Sequence, residues 1–330
     1  MKRNLLVIVC LISSVAFGQY RPHGKPSPKK DADGEKETPV NYSDLMDNPD
    51  KCDKLMIGLN LLGLDIHEGF DMGWGLSAKY NMSEKLMFDF DIFRPYAGVV
   101  DSQYGEINPN NEKLLNACKV FLSGDVGGTY FFKSFEDKKD IKVQLKSESG
   151  GYNVVIVHLL QVPAIQQKRL GVRGGLSYFQ TTYNFPVHKA LPSGREDTLQ
   201  IATFGATSLY TGFAFSKIYN KVIKIEGYGQ RTIKTFKTHA IDLGYSLANS
   251  FHAYYNGDTN YAVISPAPSV PISKLFVRYS YDGINIRSNK NIGSHFGFYI
   301  GMRPKLGDAA EAFFMGVRFG LVFTSGTNKS

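Results

Sequence analysis

The stretch FFMGVRFGLVF, residues 313–323, decides the fold class of this 330-residue chain. Successive side chains of a β-strand point to opposite sides, so alternate residues from Phe313 to Phe323 would form one face, and Phe314, Arg318 and Val322 would share the other with two glycines. The first face carries only apolar side chains. The pattern predicts a strand with one face against a bilayer and the other against a crowded or wet interior.

The same alternation recurs in residues 72–80, 86–93, 275–282 and 294–304. Repeats of about ten residues with alternating polarity, separated by turn residues, are typical of transmembrane β-barrels. Thirteen segments of the chain fit a strand: 54–64, 71–81, 85–95, 119–132, 140–147, 152–162, 168–182, 199–216, 221–230, 234–247, 274–285, 294–304 and 311–323. Because bacterial single-chain barrels usually have an even strand number, we expect an all-β, antiparallel, up-and-down transmembrane barrel of about 12 to 14 strands.

The N-terminus has the layout of a secretory signal peptide. A basic start is followed by an apolar run, residues 5–16, and by small residues, which predicts a signal peptide over residues 1–18. Residues 19–51 are rich in proline and charge and poor in large apolar side chains, so we expect a disordered periplasmic arm. The outer-membrane barrel is expected over residues 52–323, with a C-terminal tail over residues 324–330.

Composition supports an exported membrane protein and argues against nucleic-acid binding. The sequence has 33 Gly, 23 Phe and 19 Tyr, and past the signal no stretch approaches the roughly 20 apolar residues of a transmembrane helix. A chain of this kind can enter a membrane only as a closed barrel, because lipid leaves unpaired backbone groups unsatisfied. The net charge of +8 comes from basic residues spread among acidic ones, without a cluster interleaved with aromatic residues.

Several of these segments carry a family resemblance: MGWGLSAKY at 72–80, KLMFDFDIF at 85–93, GFAFSKIYNKVIKIEGYGQ at 212–230, SHFGFYIGMRP at 294–304 and FFMGVRFGLVF at 313–323, with AFGQ at the end of the signal. With them the chain resembles outer-membrane β-barrel proteins of Gram-negative bacteria, most closely the uncharacterised barrels of Bacteroidota. The resemblance covers roughly residues 54–323 and implies a location in the outer membrane, a lipid bilayer as surroundings and insertion by the outer-membrane assembly machinery. Such proteins usually end in an aromatic residue, whereas here Phe323 is followed by seven more residues.

Charged side chains on the inward faces are the candidate site residues. If the apolar faces look outward, the lumen is lined by Lys79, Asp89, Asp91, Arg278, Asp282, Arg303 and Arg318. Charges of both signs can line a conducting pore or pair across a closed lumen. Asp89 and Asp91 share a face, as paired acid–base catalysts would, but two lumen carboxylates that answer nearby arginines explain them more simply. We therefore expect no enzyme activity. No group of His and Cys residues in the sequence has the spacing of metal ligands, so we also expect no metal site, and we expect no cofactor.

Two cysteines follow the signal peptide, Cys52 and Cys118. An exported compartment allows them to form a disulfide. However, Cys52 is expected on the periplasmic side before the first strand and Cys118 after an outer loop, so a bridge with a Cα separation limit of about 7 Å would have to cross a band about 25 Å tall. Either both are free thiols or the strand directions expected here are wrong.

Two roles are open for such a barrel: passive transport, as in a pore, or support of an envelope assembly. Envelope proteins would then bind through residues 19–51 or through the outer loops. The alternatives are a soluble periplasmic β-sandwich or lipocalin-like binding protein, in which the apolar faces would meet in a core, and an outer-membrane hydrolase that uses Asp89 and Asp91.

Overall fold

A computed structural model describes residues 40–66, 70–95, 122–149, 155–183, 187–190, 196–255, 274–287, 291–302 and 313–325. Residues 1–39, which include the expected signal peptide, lie outside this part of the chain, as do Cys118 and Arg303. The described residues contain no helix that is long and apolar enough to cross a membrane.

The described part of the chain contains twelve β-strands. They are β1 Tyr42–Asp47, β2 Leu55–Ile66, β3 Phe70–Asn81, β4 Leu86–Pro95, β5 Leu122–Ser149, β6 Val155–Tyr183, β7 Val187–Ala190, β8 Glu196–Ile225, β9 Gly229–Tyr255, β10 Leu275–Ile286, β11 Ile292–Met302 and β12 Phe313–Thr324. Every pairing between them is antiparallel.

The strands close into a single ring. Within the described residues the order is β8-β6-β5-β4-β3-β2-β12-β11-β10-β9, and β9 pairs back with β8, so ten strands form the barrel. This confirms the predicted all-β, antiparallel, up-and-down barrel. A β-sandwich, the core of one alternative, has two separate sheets and is wrong, because this ring has no open edge between its strands.

The predicted strand number of 12 to 14 is wrong, because three pairs of predicted segments each belong to one longer strand. As far as the structure describes them, segments 119–132 and 140–147 both lie in β5 and segments 152–162 and 168–182 in β6, while segment 199–216 and the first half of segment 221–230 lie in β8. These strands have 28, 29 and 30 residues, far more than the 9 to 11 or so that cross a bilayer. Their extra length lies beyond the barrel wall, where polar residues interrupt the alternation without ending the strand.

One end of the barrel, which we call the terminal end, carries both ends of the described chain. The start of β2 pairs there with the end of β12, Met56 with Thr324. The β3–β4 and β8–β9 turns lie at the same end. In the β8–β9 turn, Gly227 and Gly229 have φ of 77° and 75°, a left-handed conformation in which a side chain is strained, so glycine suits both positions.

The last part of the expected disordered arm is ordered. Residues 42–47 form β1, which pairs with residues 221–225 of β8 outside the ring. This is possible because β6 leaves the edge of β8 after the pair Gln167–Ile218 and so frees that edge for β1. Asp47 anchors β1 by accepting hydrogen bonds from Lys221 Nζ (2.9 Å) and from the backbone N–H of Ile165 (3.0 Å).

Beyond the wall, β5 and β6 continue as a two-stranded ribbon, which we call the protruding hairpin: residues 132–149 and 155–166. β4 ends its pairing with β5 at Tyr130, and β8 ends its pairing with β6 at Gln167, so past these points β5 and β6 pair only with each other. The 12 residues or so of β6 in this ribbon correspond to about 40 Å at roughly 3.3 Å per residue.

Candidate functional site

The interior of the barrel is polar and encloses a cavity of about 130 Å³. Six of the seven predicted lumen residues line it: Lys79, Asp89, Asp91, Arg278, Asp282 and Arg318. They reach it from β3, β4, β10 and β12, because each stands on the inward-facing set of its strand. The seventh, Arg303, lies outside the described residues.

Five charged side chains of the interior form a ladder of alternating negative and positive charge across the lumen: Asp89, Arg173, Asp242, Arg278 and Asp125. Arg173 Nη2 lies 3.0 Å from Asp89 Oδ2, and Arg173 Nε lies 3.5 Å from Asp242 Oδ1. Asp242 also accepts hydrogen bonds from Arg278 Nη2 (3.0 Å) and Nε (3.2 Å). Arg278 Nη1 donates in turn to both carboxylate oxygens of Asp125 at 2.8 Å. The ladder links β4, β6, β9, β10 and β5 through the middle of the barrel.

A second group of polar side chains joins β3, β10, β11 and β2. Asp282 accepts a hydrogen bond from His295 Nε2 (3.1 Å) and forms an ion pair with Lys79 Nζ (3.0 Å). The other ring nitrogen of His295 is hydrogen-bonded to the side chain of Asn60. His295 and Asn60 are almost completely buried, so this contact ties two strands together away from water.

Arg318 organises a third group, on the wall formed by β12, β2 and β11. It donates hydrogen bonds to the hydroxyl of Tyr299 and to the carbonyl oxygen of Leu64 (3.0 Å). The Tyr299 hydroxyl donates to Asp65, whose carboxylate also lies 3.6 Å from Arg318. The guanidinium lies 3.7 Å from the centroid of the Phe93 ring, in a cation–π contact. The cationic and anionic groups of this interior are thus largely satisfied by one another.

An apolar layer lies below this polar interior, at the terminal end. Inward-facing residues of seven strands pack together and are almost fully buried: Met56, Met87, Phe131, Ile218, Phe236, Ile284, Ile286 and Val322. The side chain of Cys52, a free thiol, packs against this layer. Because the layer draws residues from seven of the ten barrel strands, it packs apolar side chains across the terminal end of the lumen.

A crossing segment, residues 48–54, runs beneath the apolar layer from β8 to the start of β2. The backbone N–H of Asn48 donates to the carbonyl of Asn220 on β8 (3.1 Å). Asp53, which is buried, pairs with Lys234 on β9 (2.9 Å), and its carbonyl accepts a hydrogen bond from Asn81 on β3 (2.9 Å). In the ring order β2 lies five strands from β8, so the segment spans the terminal mouth from one side to the other.

The sequence did not single out Asp242, Asp65 and His295 as site residues. Asp242 stands between Ile241 and Leu243 in the alternating stretch of β9, and this alternation was a usable signal for an inward position. The same signal does not indicate an inward position for Asp65. The pairing of β2 with β3 is irregular between Asn60 and Gly63, and this irregularity shifts the inward-facing positions of β2 by one residue before Asp65.

The geometry of Asp89 and Asp91 bears on the hydrolase alternative. Asp89 is held by Arg173, and Asp91 stands directly opposite Asp125 in the β4–β5 pairing, where Asp125 is held by Arg278. Two of these three carboxylates are thus engaged by arginines of the ladder. The arrangement serves ion pairing across the lumen.

Comparison with protein-family models finds no match, and comparison with curated proteins finds none either. Among solved structures, the chain is similar to OmpT (in-vitro folded), an outer membrane protein of Vibrio cholerae, at 8% sequence identity over 85% of this chain and 99% of that chain, with a TM-score of 0.15. A TM-score this low supports no conclusion about the present chain. The assignment of the barrel therefore rests on its strand pairing.

Proposed function

We propose that the chain is an integral outer-membrane barrel with a closed lumen, which supports an envelope assembly and does not conduct solutes. The observation that carries the proposal is a belt of exposed large apolar side chains to which all ten barrel strands contribute. Members from successive strands of the ring are Phe213, Val172, Val126, Phe90, Trp74, Ile57, Phe319, Ile292, Val277 and Ile241. A soluble barrel would direct such residues to its core, as in the lipocalin-like alternative.

The height of this belt suits a bilayer. On β12 the exposed apolar residues run from Phe313 to Phe323, an interval of about 33 Å along the strand at roughly 3.3 Å per residue. Strands of membrane barrels tilt by about 35 to 45°, so this interval corresponds to a height of about 25 Å, the usual apolar band of an outer-membrane barrel. The match supports an orientation with the barrel axis across the membrane.

The closed terminal end favours a structural role over a passive pore. The apolar layer and the crossing segment lie across the mouth, and the ion-paired ladder crosses the lumen behind them. A conducting pore needs a continuous wet path, which these features interrupt in the described residues. We therefore place passive transport second.

The protruding hairpin is the part of the barrel best suited to reach an envelope partner. It leaves the wall at the terminal end, which we place on the periplasmic side. The backbone N–H of Ile165 points away from β5 and donates to Asp47. Pro163 lies two residues away on the same strand, so its nitrogen, which carries no hydrogen, faces the same open edge of β6. Proline on an open edge discourages unwanted strand pairing. The hairpin can thus extend from the wall without adding strands from other chains along that part of its edge.

Three further expectations belong to this proposal: the absence of enzyme activity, insertion by the outer-membrane assembly machinery, and kinship with barrels of Bacteroidota. The pairing of Asp89 with Arg173 supports the first, because a carboxylate held in an ion pair is poorly placed to exchange protons with a substrate.

Heat-modifiable gel migration and single-channel recording test the proposal together. The purified chain, folded into lipid vesicles, should migrate faster before boiling than after it and should give no discrete channel events in a planar bilayer. A matched variant that lacks residues 41–52 and carries Phe236→Ala loses β1, most of the crossing segment and one large side chain of the apolar layer, and we expect it to conduct. Discrete conductance in the wild-type protein would refute the closed lumen, and solubility in buffer with no shift on boiling would refute the membrane location.

A further inference from the structure

Three lysines stand side by side on the outer wall near the terminal end. Lys168 on β6 is paired in register with Lys217 on β8, and Lys217 with Lys237 on β9. All three belong to the outward-facing sets of their strands, because the next inward residues, such as Ser216 and Thr238, are buried. We call Lys168, Lys217 and Lys237 the lysine row.

The rows of residues above the lysine row change stepwise in polarity. Two residues closer to the middle of the wall on each strand lies the row Leu170, Phe215, His239 and Tyr281. The ring centroids of His239 and Tyr281 lie 5.0 Å apart, with the rings inclined at 60°. Two residues further on lies the row Val172, Phe213 and Ile241, of which Phe213 is 64% and Ile241 62% exposed. From the middle of the wall to its edge, the rows are therefore first purely apolar, then mostly aromatic with a His and a Tyr, and finally cationic.

This order is the one that a bilayer presents with depth. Hydrocarbon contacts aliphatic side chains, the interface favours amphipathic aromatic rings, and long cationic side chains reach the headgroups. Four residues separate the Phe213 row from the lysine row, about 13 Å along the strands and about 10 Å along the membrane normal at a tilt near 40°. The lysine row thus lies at the depth of the phosphates if Phe213 lies within the hydrocarbon.

Two of the three charges in the lysine row, those of Lys217 and Lys237, are not paired with a carboxylate within the described residues, and the Lys217 ammonium lies 5.2 Å from the centroid of the Phe215 ring. Asp137 pairs with Lys168 (3.0 Å), but no carboxylate of the described chain forms an ion pair with Lys217 or Lys237. Lys139 and Arg287 add further positive charge near Lys237. Like charges directly opposite each other on paired strands are destabilising, so an anion between Lys217 and Lys237 would relieve a repulsion that the fold itself leaves in place.

We propose that the lysine row binds the phosphate of an anionic lipid headgroup in the leaflet that meets the terminal end. This inference rests on the proposed membrane location. The lipid supplies the counter-charge between Lys217 and Lys237, while its acyl chains lie along the Phe213 row. The expected contribution of each lysine is about five-fold in affinity, which follows from the usual attraction of a basic residue to an anionic membrane surface.

The test measures lipid binding to the detergent-folded barrel by native mass spectrometry. Phosphatidylglycerol, zwitterionic phosphatidylcholine and inorganic phosphate are titrated separately. For Lys217→Gln with Lys237→Gln, the affinity for phosphatidylglycerol should fall roughly 20- to 30-fold, and Lys217→Arg with Lys237→Arg should keep it. Lys85→Gln with Lys138→Gln removes the same charge from two exposed lysines outside the row and should leave the affinity unchanged.

The outcomes separate this inference from the proposed function. Equal phosphatidylglycerol affinity in the wild type and in the glutamine variant would overturn the lipid site while the barrel still folds into vesicles. Binding of inorganic phosphate as tight as that of phosphatidylglycerol would overturn the assignment to a lipid. A wild-type chain that does not fold into vesicles at all would overturn the membrane location and the lipid site together.

Discussion

Replacement of Asp242 by alanine should destabilise the barrel more than any surface change. Asp242 is fully buried and bridges Arg173 and Arg278 in the middle of the ladder, with three nitrogen–oxygen distances of 3.0, 3.2 and 3.5 Å. Removal of one partner from a buried ion pair costs about 3 to 5 kcal/mol, because the remaining charge stays buried without compensation. Asp89 and Asp125 still hold the two arginines, so we expect a loss near the lower end, about 3 kcal/mol.

The free energy of unfolding can be measured by urea titration of the vesicle-folded protein. Trp74, the single tryptophan of the chain, lies exposed on the outer wall and reports on unfolding by its fluorescence. Linear extrapolation to zero urea gives the free energy for each variant. Asp137→Ala serves as control, because it removes a carboxylate from an exposed pair with Lys168 and should give no resolvable change.

A double-mutant cycle completes the test. If Asp242 and Arg278 act through each other, the combined change Asp242→Ala with Arg278→Ala should cost clearly less than the sum of the two single changes. A cost below about 1 kcal/mol for Asp242→Ala, or additive costs in the cycle, would refute the view that the ladder holds the barrel together from inside.

Three further predictions concern the wall, the mouth and a turn. Phe213→Arg should cost about 2 to 4 kcal/mol in vesicle-folded protein, whereas Phe135→Arg on the protruding hairpin should cost far less, and equal costs in urea titrations would contradict the position of the belt. Burial raises the pKa of the Cys52 thiol, so iodoacetamide should label it at neutral pH more slowly than in the urea-unfolded chain, and equal rates would contradict its burial. Gly229→Ala should cost about 1 to 2 kcal/mol because its φ of 75° strains a side chain, and an unchanged urea midpoint would contradict the turn.

The alternation of polarity along the chain is enough to predict the barrel and to tell which face of each strand points outward. On β12 the buried Phe314, Arg318 and Val322 and the exposed Phe313 and Phe319 lie on the faces that the sequence indicated. This works because the side chains of a regular strand alternate strictly, so one bilayer-facing residue fixes the direction of its neighbours.

The strand number and the ordered arm could not be predicted in the same way. Outside the bilayer a strand has no apolar face to keep, so the charged residues 136–140 of β5 look like a loop although they pair with β6 throughout. Composition alone predicts a disordered arm, yet Asp47 orders β1 through Lys221 and Ile165, partners more than 100 residues away that composition cannot reveal.

The pairing of β1 with β8 sets an order on folding. Tyr42 faces Ile225 across this pair, so the contact joins residues that are separated by more than half of the chain. Contacts between distant residues form slowly, because the intervening chain must be closed into a loop first. Residues 42–54 can therefore dock only after β8 has formed, so the crossing segment, which precedes the barrel strands in the sequence, covers the terminal mouth only once β8 is in place.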